Sequence, residues 1–162
     1  MWFTDRRAFL LSLAALAGCG FTPAYGPAGG AAGLRGALAP DAPVTRDDFA
    51  LTRRLAERLG PPEAPQFRLA YSIVTEASGQ AITPDNETTR FQLRGSATFQ
   101  LIEIGTGAEL LAGEVESFTS WSASGTVVAT RAAEEDAHVR LMRILADQIV
   151  TRLLATATSL PR

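Results

Sequence analysis

The chain has 162 residues, of which 46% are hydrophobic and 20% are charged, a composition typical of one folded domain and too apolar for a disordered chain. Its 15 basic and 17 acidic residues give a net charge of −2, which argues against a nucleic-acid-binding protein because phosphate neutralisation needs a clustered basic excess. A single cysteine and a single histidine exclude an intramolecular disulfide and argue against a His/Cys zinc site. We expect no metal and no other cofactor.

The N-terminal residues resemble the signal of a bacterial lipoprotein. Residues 1–7 end in two arginines, and the apolar run 8–17 follows them; this run is too short to span a bilayer and has the length of a signal-peptide core. The next positions complete a lipobox-like pattern, in which small residues allow cleavage and the cysteine sulfur accepts diacylglycerol. The pattern consists of Leu16, Ala17, Gly18 and Cys19. We predict that residues 1–18 form a signal peptide and that Cys19 becomes the lipidated N-terminus.

The lipid determines the expected location. Several acyl chains, each contributing about 0.8 kcal/mol per buried methylene, anchor a protein stably. Position 20 is Gly and not the Asp that retains lipoproteins in the inner membrane of enterobacteria. We therefore expect an outer-membrane lipoprotein that faces the periplasm. The export route stays open, because Thr4 to Leu10 resembles a twin-arginine motif and also suits an ordinary Sec signal.

The mature chain divides by composition. Residues 19–43 are rich in Gly, Ala and Pro, which predicts a lipidated tether with turns. Within it, residues 34–38 are interpreted as a short edge strand. Residues 44–162 are predicted to form a single domain.

The domain begins with a predicted helix from Thr45 to Leu59. Thr45 and Asp48 have the spacing of a capping arrangement, with acidic residues early in the helix. Apolar residues follow at helical spacing, and Gly60-Pro61-Pro62 ends the helix.

Three alternating segments predict strands. The first covers residues 67–73, the second 90–101 and the third 110–122. Gly79 and residues 83–86 are interpreted as the loop between the first two strands. Phe118 breaks the alternation of the third strand, which predicts a β-bulge there.

A loop over residues 122–130 and a long helix from about Arg131 to Ala157 complete the chain. The helix carries an apolar stripe at i, i+4, i+7, i+11 and i+15, formed by His138, Met142, Leu145, Ile149 and Leu153 and widened by Leu141 and Val150. The pattern as a whole predicts an α+β fold, with a small antiparallel sheet of three to four strands and two helices packed on one face.

Few residue patterns in the sequence indicate a catalytic site. His138 lies in the apolar stripe, which favours a partly buried packing residue over a catalytic one, and no Gly-x-Ser-x-Gly elbow is present. Glu114 and Glu116 share one side of a predicted strand, as solvated acids commonly do. We therefore predict that the protein is not an enzyme.

Arg90 and Arg94 lie on the polar side of the second predicted strand. Guanidinium groups bind phosphate through paired hydrogen bonds, so these residues are candidates for contact with a phosphorylated lipid. The alternative is that they form the water-facing side of an amphipathic strand and discourage edge aggregation.

Residues 18–26, Gly-Cys-Gly-Phe-Thr-Pro-Ala-Tyr-Gly, resemble the start of the lipopolysaccharide-assembly lipoproteins of the LptE family. The order of helix, three strands and long C-terminal helix is also similar to that family's fold. The resemblance implies a partner role: such proteins lie in or against the β-barrel protein LptD, assist its assembly and bind lipopolysaccharide on its way to the outer leaflet. Arg90 and Arg94 would then contact lipopolysaccharide.

A second interpretation stays open. Accessory lipoproteins of ABC-type envelope lipid transporters are also small, lipidated α+β proteins. Such a protein would bind a transporter complex or lipid rather than a barrel. The Cys-Gly-Phe-x-Pro opening and the short tether favour the first interpretation.

Overall fold

The computed structural model describes residues 25–26, 29, 31–82, 88–123, 125–157 and 160. The predicted signal peptide and lipobox, residues 1–19, lie outside the described residues. The elements follow the order α1 (Ala31–Leu34), β1 (Leu38–Pro40), α2 (Arg46–Leu59), β2 (Phe67–Ile82), β3 (Thr88–Glu103), β4 (Glu109–Ser122) and α3 (Val127–Thr156). The predicted α+β class is confirmed.

The strands form one open sheet in the order β1-β2-β3-β4. β2, β3 and β4 pair antiparallel, as predicted, whereas β1 runs parallel to β2. The sheet is therefore mixed. A parallel neighbour is possible because α2 carries the chain back between β1 and β2, which is the crossover that parallel pairing requires.

The edge strand predicted at residues 34–38 lies further along the chain, at Leu38–Pro40. Leu34 instead ends the short helix α1 and is fully buried. Gly36, with φ of +69°, turns the chain and donates its N–H to the carbonyl of Leu59 at 3.0 Å. Part of the predicted tether, residues 31–43, thus packs on the domain and contributes Ala31, Leu34 and Leu38 to its buried residues.

Helix α2 confirms the helix predicted at this position. The hydroxyl of Thr45 accepts the N–H of Asp48 at 3.1 Å, and a carboxylate oxygen of Asp48 accepts the N–H of Thr45 at 2.8 Å, a reciprocal capping box. Partial burial raises the pKa of Asp48, but hydrogen bonds from Thr45 and Val44 outweigh it and hold the pKa below its ordinary value. The helix ends before Gly60, at φ +80°, and buries Leu51, Leu55 and Leu59.

The β2–β3 hairpin extends further than the sequence pattern predicts. Gly79, predicted to lie in the loop, lies in β2 opposite Phe91. The polar run before it stays in the ladder because backbone hydrogen bonds to β3 do not depend on apolar side chains. The rest of the predicted loop, residues 83–86, lies outside the described residues.

The bulge predicted at Phe118 is wrong. Pairing runs without interruption from Ser117–Gly95 through Phe118–Arg94 to Thr119–Leu93. The irregularity lies at the other end of β4, where Leu101 pairs with Leu111 but Ile102 pairs with Glu109. Phe118 breaks the apolar alternation because it lies on the opposite face of the sheet, where it is 63% exposed.

Helix α3 begins at Val127, four residues before the predicted start, and the loop predicted for residues 122–130 is correspondingly shorter. The hydroxyl of Thr126 caps it by accepting the N–H of Ala129 at 3.2 Å. Two β-branched residues open the helix; their low helix propensity is overcome because a long helix adds turns cooperatively. Within the described part of the chain, no helix has the length and apolar character needed to cross a membrane.

The core lies between the sheet and the two long helices. Six of the seven residues of the predicted stripe on α3 are fully buried: Leu141, Met142, Leu145, Ile149, Val150 and Leu153. They meet the apolar face of β3, where Leu93, Ala97, Phe99 and Leu101 are buried. Phe91 and Trp121 stack at a centroid distance of 5.1 Å and extend this core. The predicted packing of two helices on one face is confirmed.

Candidate functional site

The face of the sheet opposite the helices is covered by no described element, and we call it the uncovered face. The alternation along β3 places the predicted polar residues there: Arg90, Gln92, Arg94, Ser96, Thr98 and Gln100. Arg90 and Arg94 are both exposed. They are four residues apart on one strand, which corresponds to about 13 Å. The structure therefore places both arginines on one surface but not at one point.

Arg94 lines a shallow depression of about 470 Å³ in the uncovered face. Its direct cross-strand neighbours are Glu76 on β2 and Phe118 on β4. Val74 and Phe118 are 65% and 63% exposed, so two apolar side chains flank a guanidinium group. This combination suits an amphiphilic partner, since the cation binds anionic groups and the apolar side chains lose water on contact.

Acidic residues share the uncovered face with the arginines. Glu116 lies opposite Ser96 and Glu114 opposite Thr98, and both carboxylates are exposed. With Glu76, they make the face mixed in charge and not uniformly basic. No cluster of three potential metal-ligating residues occurs among the described side chains. Glu76, Val74 and Phe118 were missed by sequence reasoning, because alternation identifies the face of each strand but not its neighbours across strands.

His138 is partly buried, as predicted, and it is also paired with an acidic side chain. Its Nδ1 lies 3.0 Å from a carboxylate oxygen of Asp47, and the two side chains are 30% and 20% exposed. The pair joins the first turn of α2 to α3 and lines a cleft of about 900 Å³ between these helices and the end of β4. The residue is thus partly buried and hydrogen-bonded, a contact that the apolar stripe alone does not predict.

Side chains of α3 protect the outer edge of β4. Arg140 donates to the carbonyl oxygen of Ser120 at 3.1 Å, and Gln148 donates to that of Glu116 at 3.3 Å. These carbonyl groups face away from β3 and would otherwise be free to pair with another strand. The edge is therefore blocked against uncontrolled strand pairing, a common protection of edge strands.

A second polar cluster joins α2, α3 and the N-terminal segment. Asp147 accepts hydrogen bonds from Arg54 at 3.0 Å and from Arg58 at 2.6 Å. Arg58 also donates to the hydroxyl of Tyr25 from Nε at 3.0 Å and from Nη2 at 2.6 Å. The hydrogen bond to Tyr25 is the main cause that raises the pKa of Arg58. Tyr25, in the predicted tether, is thus held against the helical layer.

The comparisons with known proteins agree with this architecture. The model of a family described as lipopolysaccharide-assembly, LptE, matches residues 36–153. This stretch covers well over half of the chain and includes all four strands and nearly all of both long helices. The chain belongs to the LptE family. No curated protein matches the sequence.

Solved structures of lipoproteins share the fold of this LptE-family chain. A lipoprotein from Caulobacter crescentus is 22% identical with a TM-score of 0.67, over 82% of this chain and 98% of that one. Rare lipoprotein B from Shewanella oneidensis is 18% identical with a TM-score of 0.59, over 76% and 96%. Lipoprotein B from Nitrosomonas europaea is 16% identical with a TM-score of 0.55, over 75% and 82%. At these sequence identities, the similarity shows a shared fold and nothing more specific.

Family membership assigns this LptE-family chain to lipopolysaccharide assembly. The matched residues exclude the nine-residue opening, 18–26, that first indicated the family. The body of the domain and the N-terminal opening therefore point to the same family through separate residues. The lipidation of Cys19 and the ligands of Arg90 and Arg94 stay predictions.

Proposed function

We propose that the protein is an outer-membrane lipoprotein that helps assemble and plug the lipopolysaccharide-translocating β-barrel LptD and takes part in delivering lipopolysaccharide to the outer leaflet. The observation that carries the proposal is the family match over residues 36–153, which spans the whole sheet. The role is that of an accessory protein rather than an enzyme.

The proposed anchor is the lipid on Cys19, with Leu16, Ala17 and Gly18 preceding the cleavage point. The protein would lie on the periplasmic side of the outer membrane. Support comes from the lipobox-like sequence.

The uncovered face is the surface proposed to meet the barrel and lipopolysaccharide. Its residues are mostly polar, which suits a water-filled lumen. Arg90 and Arg94 are proposed to contact lipopolysaccharide phosphates, since guanidinium groups bind phosphate with paired hydrogen bonds. Phe118 and Val74 beside Arg94 offer apolar contact to the same amphiphile.

Depletion of the protein tests the function. Correctly assembled LptD should fall, and outer-membrane permeability to large hydrophobic antibiotics should rise, because surface lipopolysaccharide excludes them. Affinity isolation of the native protein from detergent-solubilised membranes should recover the barrel. Normal LptD and normal permeability after full depletion, with an ABC-type complex recovered instead, would favour a transporter-accessory role.

Paired substitutions test the arginines. Arg90→Ala with Arg94→Ala should weaken lipopolysaccharide binding in a salt-sensitive manner, while barrel association persists. The matched control is Arg46→Ala with Arg131→Ala, which removes the same charge from exposed arginines on the helical side. Equal loss of binding in both variants would show a general charge effect and remove the two strand arginines from the mechanism.

A further inference from the structure

The outer side of β2 is only partly covered by β1. β1 pairs with the first three residues of β2, Phe67 to Leu69. The N–H of Asp41 then donates to the carbonyl of Leu69 at 2.9 Å, and the chain leaves the sheet to enter α2. From Tyr71 to Gly79, β2 has β3 on one side and no described strand on the other. We call this stretch the open edge.

Backbone groups of the open edge point out of the sheet at every second residue. The N–H and C=O of one residue in a strand point to the same side, and successive residues alternate. The carbonyl of Leu69 points towards β1, so residues of the same parity further along β2 also point away from β3. These residues are Ile73, Thr75 and Ala77. No described residue forms a hydrogen bond with their backbone groups.

The open edge differs from the outer edge of β4, where Arg140 and Gln148 occupy two of the outward-pointing carbonyls. The open edge has no proline and no basic residue, and Glu76 is its single charged residue. It extends over eight residue steps, or about 27 Å at about 3.4 Å per residue, before the register shifts that follow Gly79. A long, regular and unprotected edge is the feature to which an extended polypeptide adds as a further strand.

A second copy of this chain is a poor occupant of the open edge. The symmetric antiparallel pairing that uses the whole edge is centred on Thr75 and places Glu76 opposite Val74 of the other copy. The two Glu76 carboxylates would then be diagonal neighbours about 7–8 Å apart on one face, where they repel each other. A different chain with a basic residue opposite Glu76 gains attraction instead. An apolar residue opposite Val74 would also cover a side chain that is 65% exposed.

We propose that the open edge of β2 receives an extended segment of the barrel partner as an additional strand, with a basic residue opposite Glu76 and an apolar residue opposite Val74. The inference rests on the proposed function, in which the domain lies in the barrel lumen, and adds a way in which the barrel chain holds it there. The wall strands of a closed barrel already pair with one another. The segment therefore comes from a part of the partner outside the wall, such as a loop folded into the lumen.

Residue-resolved hydrogen exchange tests the added strand. Lipidated full-length protein is compared alone in detergent and in complex with LptD in the same detergent. In the complex, exchange at the amides of Ile73, Thr75 and Ala77 should slow on the order of tenfold or more, because each gains a hydrogen bond. The outward-pointing amides of β4 are the matched control. Those of Ala112 and Glu114 should change clearly less, although they face the same lumen.

A pair of proline substitutions gives a second test. Ala77 and Ala112 are both exposed, and each lies at an outward-pointing position, so proline removes an N–H that makes no bond to β3. Ala77→Pro should weaken association with LptD by up to about tenfold, measured as barrel recovered with the affinity-isolated protein. Ala112→Pro should leave recovery nearly unchanged. Circular dichroism and urea unfolding check that each variant is folded.

A charge reversal at the open edge applies if Ala77→Pro does not fold. Glu76→Lys places a cation opposite the basic residue of the added segment and should lower LptD recovery. Glu114→Lys makes the same change on the same face beside the outer edge of β4 and is the control. Equal loss of LptD with both lysine variants would contradict pairing at the open edge.

The remaining outcomes separate this inference from the proposed function. LptD recovered with unchanged exchange at the open edge, or with equal slowing at both edges, overturns the added strand and leaves the proposed function standing. Slowing in the protein alone that increases with its concentration shows pairing between copies and also overturns the added strand. If no LptD is recovered with the unsubstituted protein, the proposed function fails and this inference fails with it.

Discussion

Gly95 of β3 lies directly beneath Leu141 of α3: a Cβ atom placed on the glycine would be 2.8 Å from Cδ2 of Leu141 and 3.4 Å from Cγ2 of Thr75. Leu141 is fully buried. Glycine normally weakens the interior of a strand, so its position here is explained by the close approach of helix and sheet. The small residue allows α3 to pack against the central strand.

Gly95→Val should therefore destabilise the domain by about 1–3 kcal/mol, the usual cost of overpacking a core. Urea unfolding followed by circular dichroism gives the free energy of unfolding. In a Leu141→Ala background the same substitution should cost less, because the opposing atoms are gone and the two effects are coupled. An equal cost in both backgrounds would contradict the contact.

Leu145 and Ile144 are adjacent on α3 but point in different directions. Leu145 is fully buried and Ile144 is 38% exposed. Leu145→Ala should lower the free energy of unfolding by about 2–5 kcal/mol through lost burial and the cavity left behind. Ile144→Ala is the control and should have a clearly smaller effect. Similar values for both would mean that α3 is rotated relative to the sheet.

Tyr71 should make the domain sensitive to alkaline pH. Burial, followed by the negative charges of Asp48 and Asp41, raises the pKa of its hydroxyl from 10.0 to about 12, and the hydroxyl donates to the carbonyl of Asp41 at 3.3 Å. The folded state thus holds this proton more tightly than the unfolded state. The resulting stability is fully present below pH 10 and is lost as the pH rises towards about 12.

Comparison with Tyr71→Phe isolates this contribution. The free energy of unfolding should be measured by urea titration at several pH values on both proteins. The difference between them should shrink between pH 10 and 12 and be constant below pH 10. Parallel profiles across that interval would show that Tyr71 ionises normally.

Processing at Cys19 has a direct measurement. Mass spectrometry of the native protein should find residues 1–18 removed and an acylated cysteine at the N-terminus. Cys19→Ala should release the protein from the membrane fraction without unfolding it, because the described core begins at Ala31. Retained residues 1–18, or an unmodified Cys19, would refute the predicted lipobox.

Short-range sequence patterns predicted the features that depend on residues close together in the chain. The capping pair Thr45 and Asp48 located the start of α2 because both partners lie within one helical turn. The alternation along β3 predicted that Arg94 lies on the polar face, because successive side chains of a strand point to opposite faces. The stripe on α3 identified Leu145 and Ile149 as core residues.

Features that depend on distant contacts were missed. The local sequence around Gly79 is typical of a turn, but pairing with Phe91 keeps the residue in β2. The spacing along α3 placed His138 in the apolar stripe, but it did not predict the hydrogen bond with Asp47, which lies 91 positions earlier in the chain. Residues 31–40 have the composition of a tether, and they are folded because the C-terminal end of α2 and the start of β2 accept them.

The sequence by itself determined the α+β class, the core stripe of α3, the candidate lipobox and the resemblance to a lipopolysaccharide-assembly family, because each is recorded in short-range spacing or in consecutive residues. Only the tertiary structure decided which side chains meet across elements. The neighbours of Arg94, the parallel pairing of β1, and the convergence of Tyr25, Arg58 and Asp147 all depend on strand register and helix packing. Such contacts are settled by the burial of the whole core, and no segment carries that information alone.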